Sequence, residues 1–147
     1  MNEINLSASE LQNTAEKFLN ELFEKINLSK LTLEPHWDID HLCFRTESFD
    51  AYEIYKKTFS KLGTLLIESD VNGRPISTFE LNYPIRFQNW LIRLIELPAP
   101  KKGKVSTTGF EHIEMVIDKS LTTVISEYKH LSWDSSGLAK KKNNELE

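Results

Sequence analysis

The sequence predicts an α+β fold: a β-α-β-β-β unit, a second such unit begun and not finished, and one helix ahead of both. Three observations carry this. Short apolar runs with period-two alternation recur between turn residues. Two stretches, one after the first strand and one after the fifth, repeat apolar residues at helical spacing. Asn72-Gly73 is a hairpin signal, because both residues tolerate positive φ.

In order, Ser7-Ala8-Ser9-Glu10 forms a capping box. Behind it Leu11, Ala15, Phe18, Leu19, Leu22, Phe23 and Ile26 fall on one stripe, which places a helix over about 8–27 packed on the body of the domain. Pro35 keeps 28–38 irregular. The first strand covers 39–46, with His41, Cys43 and Arg45 on one face and Leu42 and Phe44 on the other. Glu47-Ser48-Phe49-Asp50 offers a cap, Tyr52, Tyr55, Phe59 and Leu62 give a helix against the Leu/Phe face, and Gly63 stops it.

Strands follow over 64–69, over 75–82 (ending before Pro84) and over 90–97, closed by Pro98-Ala99-Pro100. The module thus spans 39–98. After a basic loop, 109–131 begins the second module, with a strand at 110–117 and a helix from near Asp118 carrying Leu121, Val124, Ile125, Tyr128 and Leu131. Residues 132–147 read as a polar tail with no convincing strand, and its Lys140-Lys141-Lys142 cluster as solvated.

The 147 residues suit one domain with a real core. A net charge of −4 gives no general attraction to nucleic acid or to an anionic membrane. The single cysteine, Cys43, excludes an intrachain disulfide. No secretory signal pattern or membrane-spanning apolar run is present, so a cytoplasmic setting is expected. There is no P-loop, no G-x-G-x-x-G fingerprint and no G-x-S-x-G elbow.

What stands out is ionisable side chains inside strands. Such placement is costly unless the group is paired or coordinated. If each strand turns its more apolar face to a helix, His41, Glu96 and His112 point into one concavity. Two imidazoles and a carboxylate suit a divalent transition metal such as Zn, Ni, Co, Mn or Fe. Neutral, oriented imidazoles would need hydrogen-bond acceptors beside them. Arg45, Arg74, Glu80 and Glu114 can line the same hollow, Glu114 as a general base and Arg45 or Arg74 as anchors for a substrate anion. The plain alternative is a pair of structural histidines, a solvent-exposed Glu96, a merely buried Cys43 and a Glu80 paired within the sheet. His36, in the irregular connector, is a poor ligand candidate.

At Asp40-His41-Leu42-Cys43-Phe44-Arg45, Asn72-Gly73-Arg74-Pro75-Ile76, Ile95-Glu96-Leu97-Pro98 and Gly109-Phe110-Glu111-His112-Ile113-Glu114 the chain resembles the YecM family, from about residue 15 to 118. Those bacterial proteins are placed in the vicinal oxygen chelate superfamily, with glyoxalase I, extradiol dioxygenases, methylmalonyl-CoA epimerase and bleomycin-resistance proteins. The resemblance implies paired βαβββ modules of the glyoxalase/bleomycin-resistance/dioxygenase type. It places His41 on the first strand's ligand position, Glu96 on the fourth strand's and His112 on the first strand of module two. The expected partner is a small oxygen-rich molecule bound through a divalent metal. The other expectations are a binding module without catalysis, or a fragment whose open fifth strand pairs with a second copy as a homodimer. The superfamily's usual fourth ligand comes from the last strand of module two, and this chain ends in a polar tail before reaching such a strand.

Overall fold

The computed structural model describes residues 4–136 and the backbone of residues 145–146. The chain opens with helix α1 (Ala8–Leu28), capped by Ser7, whose hydroxyl accepts from the Glu10 amide while Glu10 reaches back to the Ser7 amide. Strand β1 (Asp38–Arg45), helix α2 (Phe49–Leu62) and strands β2 (Gly63–Val71), β3 (Arg74–Phe87) and β4 (Trp90–Pro98) complete the first module. Strand β5 (Gly109–Val116), helix α3 (Leu121–Glu127) and a two-residue strand β6 (Glu145–Leu146) follow. The strands form one sheet in the order β2-β3-β4-β1-β5-β6. Strand β1 lies at its centre, parallel to β4 and antiparallel to β5.

The core sits between one face of this sheet and the first two helices. Leu11, Ala15, Leu19 and Phe23 are the buried stripe of α1, and Phe23 meets Phe87 and Trp90 with ring centroids 4.9 and 5.4 Å apart. From α2, Tyr55 and Phe59 close on Phe44 at 4.7 and 5.3 Å. The Leu42/Phe44 face of β1 is therefore the packing face, and Ile113 and Met115 extend it onto β5.

Helix α3 ends at Glu127, so Tyr128 and Leu131 lie beyond it rather than on its apolar side, and three further expectations change. Strand β3 does not stop before Pro84; it runs to Phe87. Its pairing with β4 shifts register between Glu80 and Ile85, and Pro84, which has no amide hydrogen to donate, lies inside that irregularity. Gly63 does end α2, but with φ −171°, an extended backbone rather than a left-handed cap. The tail also contains a strand: Glu145–Leu146 pairs with Val116 and Met115, so β5 is covered at that end. Two residues carry no periodicity, which is why the pairing left no trace in the sequence. Lys140-Lys141-Lys142 lies outside the described residues.

Candidate metal centre

The face of the sheet opposite α2 carries the ionisable groups. In the ladder, Cys43 pairs with Glu96 on β4 and with His112 on β5, while His41 pairs with Leu94 and with Glu114. Two rows result: Glu96, Cys43 and His112 in one, and Leu94, His41 and Glu114 in the next.

Two β-bulges shape this face. The β1–β5 register shifts between Ile39 and His41, leaving Asp40 as the extra residue. It shifts again between Cys43 and Phe44, where Glu111 is the extra residue on β5. The first bulge lets Ile39 join Leu42 in the core and sets Asp40 beside His41. The second sends Phe110 to the core side, 5.1 Å from Phe44, and sets Glu111 beside His112. Each histidine thus has Nδ1 held by the carboxylate of the preceding residue: Asp40 Oδ2 at 2.9 Å from His41, and Glu111 Oε1 at 3.2 Å from His112.

His41 is the centre of the arrangement. It is 6% exposed. A neutral imidazole that donates from Nδ1 to Asp40 has a lone pair on Nε2. That Nε2 is buried and makes no hydrogen bond among the described residues. It faces two carboxylates, Glu96 Oε2 at 3.4 Å and Glu114 Oε2 at 3.8 Å. A lone pair directed at two carboxylates is unfavourable, and either a proton on Nε2 or a cation among the three groups would relieve it. Ligand bonds of about 2.0–2.2 Å at tetrahedral angles put neighbouring donor atoms about 3.3–3.6 Å apart. The His41–Glu96 separation has that value, and the His41–Glu114 separation is longer.

The expected site residues therefore fall as follows. His41 and Glu96 come together. Glu114 groups with Asp40 and His41, whose donor atoms all lie within 4.8 Å of one another; Glu96 is outside that group of three and touches it only through His41. His112 lies in the neighbouring row, coupled to Glu111 and outside that group of three. Arg45 donates from Nε to Glu111 at 2.9 Å, and Arg74 donates from Nη1 to the Ala99 carbonyl at 3.2 Å. Glu80 is exposed on the same face of β3. His36 is remote from the group, holding Asp118 at 2.6 Å; the Trp37 indole and His36 keep that carboxyl below its ordinary range. Asp40 was missed by sequence reasoning, since strict alternation assigns it to the packing face and only the bulge moves it.

A family model described as YecM protein matches residues 7–147. The chain belongs to the YecM family. Protein YecM of Escherichia coli strain K12 is 33% identical over 114 residues, which is 76% of this chain and 60% of that protein. An uncharacterised protein of Haemophilus influenzae is 40% identical over 82 residues, 56% of this chain and 43% of its own length. A solved structure titled "Structural Genomics, Protein EC4020" superposes with a TM-score of 0.69 at 30% identity, covering 91% of this chain and 75% of the other. This YecM-family chain spans about half of the curated relatives it matches. The family has the glyoxalase-like fold that the β-α-β-β-β order implies. No helix among the described residues is long and apolar enough to cross a membrane.

Proposed function

We propose that this YecM-family chain binds a divalent transition metal and acts on a small substrate with two neighbouring oxygens, as enzymes of the vicinal oxygen chelate type do. The observation that carries this is the buried Nε2 of His41, which makes no hydrogen bond among the described residues and faces the carboxylates of Glu96 and Glu114 while Asp40 holds Nδ1.

His41, Glu96 and Glu114 would hold the ion, with His112 as the further donor on the same face. Asp40 fixes the imidazole's tautomer and keeps its lone pair on Nε2. A bound divalent ion supplies Lewis acidity toward enolate-like or oxyanionic charge on the substrate. Glu114 has a side chain 14% exposed, against 31% for Glu96. That shielding suits a carboxylate that holds the ion or takes a proton from the substrate.

The test is metal content. Protein purified without chelator and exposed to Zn, Ni, Co, Mn or Fe should carry about one equivalent, by the one-site reading of the donor set. His41→Ala should carry none while still melting cooperatively. Wild-type protein that takes up none of these ions overturns the proposal.

A further inference from the structure

Beside the acidic group, where β1 and β4 end, the sheet gathers cations. The Thr46 hydroxyl donates to the Pro98 carbonyl at 3.0 Å, fixing the end of β1 against the end of β4. The Ala99 amide donates to the Pro75 carbonyl at 2.9 Å, fixing the start of β3 to the same corner. Arg74 reaches that corner through its bond to the Ala99 carbonyl, Arg45 is the last residue of β1, and Lys101 lies two residues beyond Ala99.

The three cations do not have equal partners. Arg45 is paired with Glu111. Arg74 is partly buried, is bonded by Nη1 to a neutral carbonyl, and has no carboxylate in ion-pair contact among the described residues. Burial lowers its pKa first, and Arg45 lowers it further; Cys43 and then Glu96 act the other way. Lys101 is lowered chiefly by Arg74, then by Lys104. These groups therefore sense one another, and Arg74 also senses Glu96. A partly buried guanidinium near other cations, with no carboxylate in ion-pair contact, carries a cost that a bound oxyanion would offset.

We propose that Arg74, flanked by Arg45 and Lys101, binds a carboxylate or phosphate group of the ligand next to Glu96. The ligand class is then a small oxyanion-bearing molecule, its charged end at the Pro98–Ala99 corner and its oxygens toward His41. This deepens the metal reading and rests on the same face of the sheet being the one that receives ligand.

Calorimetric titration of chelator-treated, metal-free protein with inorganic phosphate and, separately, with malonate tests it without the metal. One of the two should saturate a single site in the millimolar range or tighter, by about 10 mM. Saturation by phosphate alone assigns a phosphate group, and saturation by malonate alone a carboxylate. Arg74→Gln should weaken that binding at least about ten-fold, whereas Arg93→Gln, at an exposed position of β4, should leave it unchanged. Lys101 is exposed and its Lys101→Gln variant does not threaten folding; it should weaken binding several-fold. If Arg74→Gln fails to melt cooperatively, Arg74→Lys takes its place, and loss of the planar fork should still weaken binding. No saturation by either anion, or equal binding by wild type and the Arg74 variant, overturns the proposal. Anion binding in a protein that takes up no metal removes the metal reading and leaves this one standing.

Discussion

Asp40 Oδ2 lies 2.9 Å from Nδ1 of His41, the residue that follows it, because a bulge in β1 interrupts the alternation that would otherwise send the two to opposite faces. Neighbouring residues in a regular strand do not make this contact. The bulge thus converts a sequence pair into an oriented imidazole. Asp40→Asn keeps the size and removes the anion that fixes the tautomer. Metal affinity should fall about 10–100-fold, the usual cost of losing such a carboxylate, while the fold is retained. Titration of metal into wild-type and variant protein measures it. Equal affinity would mean that Asp40 plays no part in presenting Nε2.

Glu114 and His112 separate two ligand sets. The ladder sets Glu114 directly across from His41, and its Oε2 is 3.8 Å from Nε2. His112 is opposite Cys43, with Nδ1 toward Glu111. Glu114→Gln should therefore cost more metal affinity than His112→Gln, by about an order of magnitude where a charged ligand is replaced by a neutral one. The reverse ranking, read in the same titration, would restore the set of His41, Glu96 and His112.

Much of the fold was legible because its signals are local. The Ser7-to-Glu10 capping box, the α1 stripe, the Ser48 cap of α2 and the Asn72-Gly73 turn each rest on residues within a few positions of one another. The approach of His41 to Glu96 was legible for a different reason: each is an ionisable group in a strand with a strong apolar face. The bulges at Asp40 and Glu111 were not, since an extra residue in a ladder is defined by its partner strand. Continuation of β3 past Pro84 escaped for the same reason. The proline excludes a regular ladder position, and the locally shifted pairing that accommodates it is a property of two strands.

Acid stability should report on the other side of the sheet. Tyr52 and Ser77, both fully buried, meet at 2.6 Å, and the Tyr52 hydroxyl donates to Glu68, which also pairs with Lys56 at 2.7 Å. Lys56 first, and Tyr52 after it, holds the Glu68 carboxyl below its ordinary range. Since the folded value is depressed, the stabilisation is present above the unfolded value of about 4.3 and is lost as pH falls through the folded value. Melting curves of wild type and Glu68→Gln should differ by a constant amount from about pH 7 to 5 and converge below about pH 4. The carboxylate is partly exposed, so the gap should be modest. A gap that persists at the lowest pH would assign the effect to packing.

Gly63 joins α2 directly to β2, and its extended backbone is one that any residue can adopt. Space is what requires glycine. A Cβ built there would run into the carbonyl oxygen of Glu80, backbone of the neighbouring strand, and would also touch the Leu81 Cα. Neither can swing aside as a side chain would. In the ladder Gly63 faces Leu81 and Thr64 faces Glu80, so relief of the clash must part β2 from β3 at the end where α2 enters. Gly63→Ala should therefore cost about 1–3 kcal/mol, as overpacking does, and lower the melting temperature by about 3–10 °C. Its metal uptake should be untouched, because His41, Glu96 and Glu114 lie on β1, β4 and β5. An unchanged melting temperature would show that the first residues of β2 can leave β3 without cost, and that glycine is dispensable at the junction.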